Sequence, residues 1–581
     1  MASVCNLDYY LNRLNGYSKN TIRVQPVSKQ TFNANETLIL RLPTNAIVDL
    51  HTLCLSLDAF SWCTASGTGV AGTFSQSSST QIVPAGLPRY AQSLFRRVDV
   101  TAGGVQVGLG SLSDYGGVWN LLALNTLGSD KHNELAKYEL GGLLSDTRDL
   151  SPFPQGGQDQ STNTPAVAYT GGSLPLVVPS YSPPGAQATP GNGPVASLSA
   201  QRVQCSNWLG VLGGGFMRFL DTNLLPDVEI RITLNNPNVL TVDNNLTYGT
   251  TGSPAVPNVS FSNPQYMLQN VFLAMETISF GDDSYRRMLD ARLASGDPII
   301  VPFTNWASFE TSSGSGARNS STQFTVATQS LDAVYGTARL TNYDSTPTVG
   351  SVGTGTPTTE MEGDPPTGGS GVGYTSLERI KTANQANAYV ASFYQFKSLD
   401  VASANQTTAT GRIQQYGKYQ FAIDAKVYPQ FLAGSNDCYF LTRNSFDGGA
   451  INRAFESIVL QNPGNVTDAG SGYLNANANV DWQENAFALG ISLNHNGDAN
   501  HTDRMISGLN TNGSNIPISW MITNAPPSLS LANGWRPIVF CEMTSTLMVR
   551  PLTHIKIRVL VSMEVIAFTE RACSDKCVCP C

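Results

Sequence analysis

Charge is what this chain has least of. Only 13% of its 581 residues are Asp, Glu, Lys or Arg, against roughly 25% in an ordinary soluble domain. Apolar residues do not fill the gap. The mean hydropathy is −0.11, and no run approaches the ~18 apolar residues that a membrane-spanning helix needs. Neutral polar residues and glycine stand where charge is missing. A monomer that stays soluble by its own surface carries more charge than this, so the composition fits a surface largely covered by copies of the same chain. No basic tail or Lys/Arg block is present and the net charge is −8, which argues against direct binding of nucleic acid. The opening residues, Met-Ala-Ser-Val-Cys-Asn-Leu-Asp, lack a basic stretch followed by an apolar one, so no secretory signal is expected. Ten cysteines without such a signal point to synthesis in a reducing compartment.

Catalytic signatures are missing as well. The glycine-rich stretches at 211–216 and 350–355 match neither a GxxxxGK[ST] phosphate loop nor a GxGxxG turn between a strand and a helix. There is no GxSxG elbow and no HExxH. The histidines number five. His495 and His501 share a loop with Asp498 and Asp503; that group could hold a divalent cation, but a polar loop with Asn-Gly and Asp turns is by far the better reading of it. Asp and Glu are scattered without a pocket-like cluster, which ranks a two-carboxylate glycosidase below a binding or structural role. No catalytic residue, cofactor or resident metal is expected.

What is present is turn chemistry and alternation. Gly 53 and Pro 32, with abundant Asn, Ser and Thr, punctuate the whole length. At 581 residues the chain needs two or more large cores. Residues 228–234 (Val-Glu-Ile-Arg-Ile-Thr-Leu) and 555–561 (Ile-Lys-Ile-Arg-Val-Leu-Val) place apolar residues at every second position and an arginine at the same phase, Arg231 and Arg558. Such alternation buries one face of a strand, and the repetition suggests two similar sandwiches, each closed by one copy. In the first half, strands are expected at 37–43, 47–60, 216–220 and 228–234, with a hairpin 97–109 around Ala102-Gly103-Gly104. A short helix over 114–127 would be capped by Asp114, and 61–88 and 150–200 read as loops. Residues 235–262 read as a linker. The second region is expected to open at 267–280, with a helix over 284–294 and strands at 299–309, 324–326, 333–341, 388–396, 418–428, 439–442, 516–522, 538–549 and 555–568. A further helix is expected near 482–489 and a long loop at 342–375.

The fold class read from this pattern is all-β: two tandem eight-stranded jelly-roll sandwiches with short helices and long loop insertions. The expected division is an N-terminal arm 1–29, a first jelly roll 30–250, a second 251–568 and a tail 569–581. Within the arm, Leu7, Tyr10, Leu11 and Leu14 fall at i, i+3, i+4, i+7 before Gly16, an amphipathic helix. It either packs on its own domain or offers that stripe to a neighbouring subunit or membrane surface. Jelly rolls occur in capsids, lectins and cupins, so a glycan-binding adhesin is the alternative.

The chain resembles the double jelly-roll major capsid proteins of eukaryotic double-stranded DNA viruses, the virophage, polinton-like and nucleocytoplasmic large DNA virus lineage. The residues that carry the resemblance are Leu87-Pro-Arg-Tyr-Ala-Gln-Ser-Leu-Phe-Arg-Arg-Val-Asp-Val100 leading into Gly103-Gly104, Asp114-Tyr115-Gly116, Gln329-Ser-Leu-Asp-Ala-Val-Tyr335, Tyr419-Gln-Phe-Ala-Ile-Asp-Ala-Lys-Val-Tyr-Pro429 and the strand 555–561. The resemblance implies homotrimers of pseudo-sixfold outline that tile an icosahedral shell, with long loops on its outer face. It implies neighbouring capsomers, penton and minor capsid proteins as partners, leaves an internal membrane open, and places the protein in the virion. The terminal Cys573, Cys577, Cys579 and Cys581 depart from the family. Their C-x3-C-x-C-x-C spacing differs from the paired C-x2-C of structural zinc sites. Disulfides formed outside the reducing cytosol, a zinc clip and a reduced tail all fit it.

Overall fold

Alternating strands carry the first half of the molecule. In chain order they are β1 (Tyr17–Val24), β2 (Phe32–Asn33), β3 (Thr37–Arg41), β4 (Ile47–Thr68), β5 (Gln81–Pro84), β6 (Phe95–Ala102), β7 (Val105–Gly108), β8 (Ser180–Tyr181), β9 (Leu198–Ser199), β10 (Gln201–Cys205), β11 (Phe219–Asp221), β12 (Val228–Leu234), β13 (Thr241–Asp243) and β14 (Asn258–Phe280). The second half adds β15 (Ile299–Glu310), β16 (Ser320–Thr325), β17 (Leu331–Leu340), β18 (Thr348–Gly350), β19 (Lys418–Ile423), β20 (Lys426–Ala433), β21 (Leu489–Ser492), β22 (Pro517–Thr523), β23 (Trp535–Arg550) and β24 (Arg558–Val561). The helices are α1 (Tyr115–Thr126), α2 (Ser284–Ala294) and α3 (Ser435–Ser445). The computed structural model describes residues 17–68, 81–84, 87–88, 90–108, 112–126, 180–181, 198–199, 201–213, 218–225, 227–243, 258–280, 284–295, 299–314, 317–340, 348–350, 394, 396, 398–399, 417–424, 426–446, 486–494, 508–512, 516–525, 535–550 and 558–561.

The two halves repeat one topology. A small sheet runs β3-β12-β6-β7 in the first and β16-β22-β19-β20 in the second. Opposite it lies β2-β14-β4-β10 in the first and β15-β23-β17-β21 in the second. Taken in chain order the eight strands of each half correspond one to one, and every neighbouring pair is antiparallel. These are two jelly rolls, as the sequence pattern implied. The repeat extends to the helices: α1 follows β7 as α3 follows β20.

Each core is built by the inward positions. Leu38 and Leu40, Val98 and Val100, and Ile230 and Ile232 face Leu53, Leu55 and Leu57 of the long β4, all buried. Trp208 ties the sheets together, stacking on Phe95 at 6.2 Å and donating from its indole nitrogen to the Leu53 carbonyl at 3.0 Å. In the second half Ile518, Trp520 and Ile522 alternate inward. Trp520 packs on Phe421 at 4.6 Å, and its indole fills the space at Gly336, where a Cβ would lie 2.6 Å from the ring. Burying side chains of this size stabilises by roughly 1.5–3 kcal/mol each. Among the described residues one cluster of buried apolar side chains runs through both sandwiches. The 23-residue β14 bends at bulges. Two of them hold Asn263 (φ 49°) and Asn270 (φ 50°), a residue type that tolerates left-handed backbone, with Pro264 set where no ladder hydrogen bond is required.

Several expectations need correction. β14 pairs with β4 along most of its length, so residues 258–280 belong to the first jelly roll. The division expected at 250/251 and the linker expected at 235–262 therefore fall too early, and α2 stands in the connection instead. The counterpart of β12 is β22: each lies between the equivalents of β3 and β6. Of the repeated motif at 555–561, the described part is β24, which among the described residues pairs with Leu547–Arg550 at the end of β23. Residues 439–442 lie in α3, not a strand, and the helix expected at 482–489 gives way to a bridge at Ala486 and to β21. The strand expected at 418–428 is two, β19 and β20, joined at Asp424 (φ 55°). β4 continues to Thr68 and pairs with β5 inside the expected loop 61–88. Part of the N-terminal arm is β1, zipped along Leu273–Phe280.

Candidate assembly surface

The contact between the two jelly rolls is small-residue and polar. Ser113, just before α1, donates its amide to the Ser308 hydroxyl at 3.0 Å. Gly116 lies so close to Tyr394 that a Cβ there would be 2.6 Å from the phenol oxygen. Asn125 donates to the Ala486 carbonyl at 3.3 Å. Gly108, at the end of β7, faces Phe303 of β15, with 3.0 Å from an added Cβ to the ring. Asn235 donates to the Tyr394 hydroxyl, and the Tyr266 hydroxyl donates to the Asn235 carbonyl at 2.6 Å. Burial drives the Tyr394 hydroxyl well above the ordinary tyrosine range; the Asp114 carboxylate adds to this and the Arg339 guanidinium opposes it. Arg339 sits 5.9 Å over the Tyr394 ring and is buried. Glycine, serine and asparagine let the two cores approach closely, and Asn125 and Asn235 find partners across the join.

Asp114 caps α1 as the sequence suggested, its carboxylate accepting from the Gly117 amide at 3.1 Å. α3 begins differently: the Gly434 amide donates to Asp437 at 2.9 Å. Cys438 and Thr442 turn inward, and the Thr442 hydroxyl donates to the Ala488 carbonyl at 2.6 Å. The other side of α3 is open. Phe440 is 60% exposed, and on the adjacent edge strand β20 Phe431 is 54%, Leu432 55% and Val427 37% exposed. An edge strand with exposed aromatic and aliphatic side chains is a place where chains meet. The residues expected to form an interface, Leu7, Tyr10, Leu11 and Leu14, lie outside the described residues, as do Cys573, Cys577, Cys579 and Cys581. So do His495 and His501.

The outer faces of the small sheets also differ. On the first, Arg41 and Arg231 meet Glu229 at 3.3 and 2.5 Å, and Arg97 and Gln106 meet Asp99 at 2.8 and 2.9 Å. The Arg231 hydrogen bond is the main force holding the Glu229 carboxyl below the usual range. The strands of the second small sheet carry Lys418 and Lys426 and no carboxylate.

The chain is similar in structure to several viral proteins. The Sputnik virophage structure matches at 12% identity and a TM-score of 0.45, covering 97% of this chain and 92% of that one. The Faustovirus major capsid protein matches at 10% identity and a TM-score of 0.45, covering 92% and 90%. The mavirus major capsid protein matches at 10% and 0.43, covering 93% and 90%. No protein-family model and no curated protein matches the chain.

Among the described residues no group of three or more His, Cys, Asp and Glu side chains converges to hold a metal ion, and no helix is long and apolar enough to cross a membrane. Composition alone did not locate the β20–α3 patch. The available signal was the pair of adjacent apolar residues Phe431-Leu432, on a strand that among the described residues pairs on one side, with β19.

Proposed function

We propose that this chain is a major capsid protein that self-assembles, as trimeric capsomers, into an icosahedral virus shell and performs no catalysis. The observation that carries the proposal is the duplicated jelly roll: eight strands in one order, twice, joined by a small-residue contact over a shared core. A chain holding two equivalent blocks at fixed mutual orientation presents six such blocks when three chains close, which is how a threefold object acquires a nearly hexagonal outline. Low charge and the apolar β20–α3 patch support the same reading, since surface that is covered on assembly need not be charged. The resemblance of residues 87–100, 329–335 and 419–429 to the capsid family points the same way. Penton proteins, minor capsid proteins and a membrane beneath the shell are the partners this role implies, and the virion is its place.

Light scattering coupled to size exclusion, with electron microscopy of the purified protein, tests the proposal. Trimers and hexagonal particles or shells are expected. A stable monomer across the micromolar range overturns it, and glycan-array binding by that monomer would favour an adhesin instead.

A further inference from the structure

Residues 235–243 follow β12 of the first jelly roll directly, and they receive the second jelly roll at two points. The first point is Asn235, which is fixed within its own half. Its main-chain amide donates to the Leu94 carbonyl at 2.8 Å, and its carbonyl accepts from the Tyr266 hydroxyl at 2.6 Å and the Asn35 amide at 3.3 Å. The Asn235 side chain donates to the Tyr394 hydroxyl. Tyr394 belongs to the connection between β17 and β19 of the second half and is fully buried. Two residues on, Phe396 packs edge-on against Phe540 at 6.0 Å, and its carbonyl accepts from the Phe487 amide at 3.2 Å. Tyr394 and Phe396 thus straddle the join, one seated in each half. The second point is β13. It rises from the fully buried Val239 and Leu240 and from a short helical turn capped by Asn236, whose side chain accepts from the Asn238 amide at 2.9 Å. There β18, from the same β17–β19 connection, pairs in parallel with β13: Thr241 with Thr348, Val242 with Val349 and Asp243 with Gly350.

A three-residue parallel pair has little stability by itself, and closing a long stretch of chain to form it costs entropy. Both strands must be held from outside the pair. β13 is held by Val239 and Leu240, and β18 by β17, whose Leu340 lies in register with Trp535 of β23. The covalent link between the halves is looser. No residue of α2 whose burial is described is buried, and its Tyr285 packs at 5.0 Å on Phe280 of the first half. We infer that residues 235–243 clasp the β17–β19 connection at two points, and that this clasp is a second tether between the jelly rolls, additional to the peptide link through α2. The other contacts of the join set surface against surface, as Ser113 meets Ser308 and Asn125 meets Ala486. The clasp instead draws a connection of one half onto the backbone of the other. Opening the join must therefore break a strand pair as well as side-chain contacts.

Two measurements on the full-length chain test this. Val242→Cys combined with Val349→Cys places thiols at paired positions on neighbouring strands, within the roughly 4.4–6.8 Å Cα separation that a disulfide spans. After mild oxidation, peptide mapping should find a 242–349 disulfide that neither single variant yields. The second measurement is hydrogen exchange in Tyr394→Phe and in Val349→Pro. The phenylalanine keeps the ring and removes the hydroxyl that accepts from Asn235; the proline disrupts the short strand β18. Both substitutions lie in the second half, yet exchange should accelerate in peptides covering 235–243 of the first, by several-fold to about tenfold. β16 and β22 should keep their wild-type rates. Absence of the 242–349 disulfide overturns the clasp. So does exchange over 235–243 that stays at the wild-type rate in either variant. An equal rise in β16 and β22 overturns it too, because that pattern means a loss of global stability and not the release of one tether.

Discussion

Helices α1 and α3 occupy the same place in two copies of one fold and are written in different sequence. α1 reads Tyr-Gly-Gly-Val-Trp-Asn-Leu-Leu-Ala-Leu-Asn-Thr, apolar or small on every side, as a helix enclosed on all sides must be. α3 reads Ser-Asn-Asp-Cys-Tyr-Phe-Leu-Thr-Arg-Asn-Ser, with one inward face and a mixed outer face that keeps Phe440 in the open. Topology therefore does not dictate what a helix carries; the surface it must meet does. α1 meets the other half of its own chain, and α3 is left with an apolar side chain that its own chain does not cover.

The largest effects should come from the strands that correspond, β12 and β22. Trp520→Ala should cost about 3–5 kcal/mol and Ile230→Ala about 2–5 kcal/mol, the range for large buried side chains. Since one buried cluster runs through both jelly rolls, each substitution should lower a single cooperative transition in calorimetry. Two separated transitions, with only one moved by each change, would mean that the halves are independent and that the shared core is not cooperative.

Next in size is the join itself. Gly116→Ala places a methyl group against the Tyr394 ring and should cost about 1–3 kcal/mol by overpacking. Gly314→Ala, where a Cβ meets nothing within 4 Å, should be neutral or stabilising by up to about 1 kcal/mol. Equal melting temperatures for the two variants would remove the argument that the jelly rolls are clamped through Gly116. Smaller again are the helix starts. Asp114→Ala should cost about 0.5–2 kcal/mol, the value of a lost N-terminal cap. Asp437→Ala, which frees the Gly434 amide at the start of α3, should cost about 0.5–1.5 kcal/mol. Chemical denaturation curves decide the order.

Much of the fold could be read from alternation, because Ile230, Ile232, Leu38 and Leu40 obey the period of two that one buried face imposes. The β6–β7 hairpin was legible for a different reason: Gly103 and Gly104 both sit at positive φ, where other residues are strained. What failed was inference from short apolar runs. Tyr439-Phe-Leu-Thr442 is aromatic and β-rich and reads as a strand, yet Cys438 and Thr442 are buried one turn apart; four residues cannot separate the two periods. Matching 228–234 with 555–561 failed because any half-buried strand shows the same alternation. The true partner, β22, starts with a proline and carries a tryptophan, so it looked least alike. The polar side of β4 does not face solvent: Ser56 and Asp58 alternate with leucines, yet both are buried, and Asp58 accepts from Asn270 at 2.8 Å across to β14. The open patch on β20 and α3 left only the adjacent Phe431-Leu432 as a trace in the sequence, since exposure is a property of what the fold leaves uncovered.

The smallest expected effect separates the outer faces of the two small sheets. Glu229 in the first is held below the usual carboxylate range, chiefly by the Arg231 hydrogen bond, with Arg41 adding to it. A carboxyl whose folded pKa is depressed contributes stability above its unfolded value, near 4.5, and loses that contribution as pH falls through the folded pKa. Between neutral pH and about pH 5 the contribution is constant; below that it declines. The two arginines are more than half exposed, at 62% and 51%, so the whole effect belongs in the ~0–1 kcal/mol range of surface pairs. Glu229→Gln should therefore flatten the acid limb of the stability curve slightly and leave its neutral plateau lower by a comparable amount. High salt should shrink the difference, because screening weakens exposed pairs. No such limb can arise from the strands of the second small sheet, which carry lysines but no carboxylate, so Lys418→Gln should leave the curve below pH 5 parallel to wild type. An unchanged acid limb in Glu229→Gln would show that the charged ladder is solvated rather than paired, and that the two outer faces differ in composition without differing in electrostatic stability.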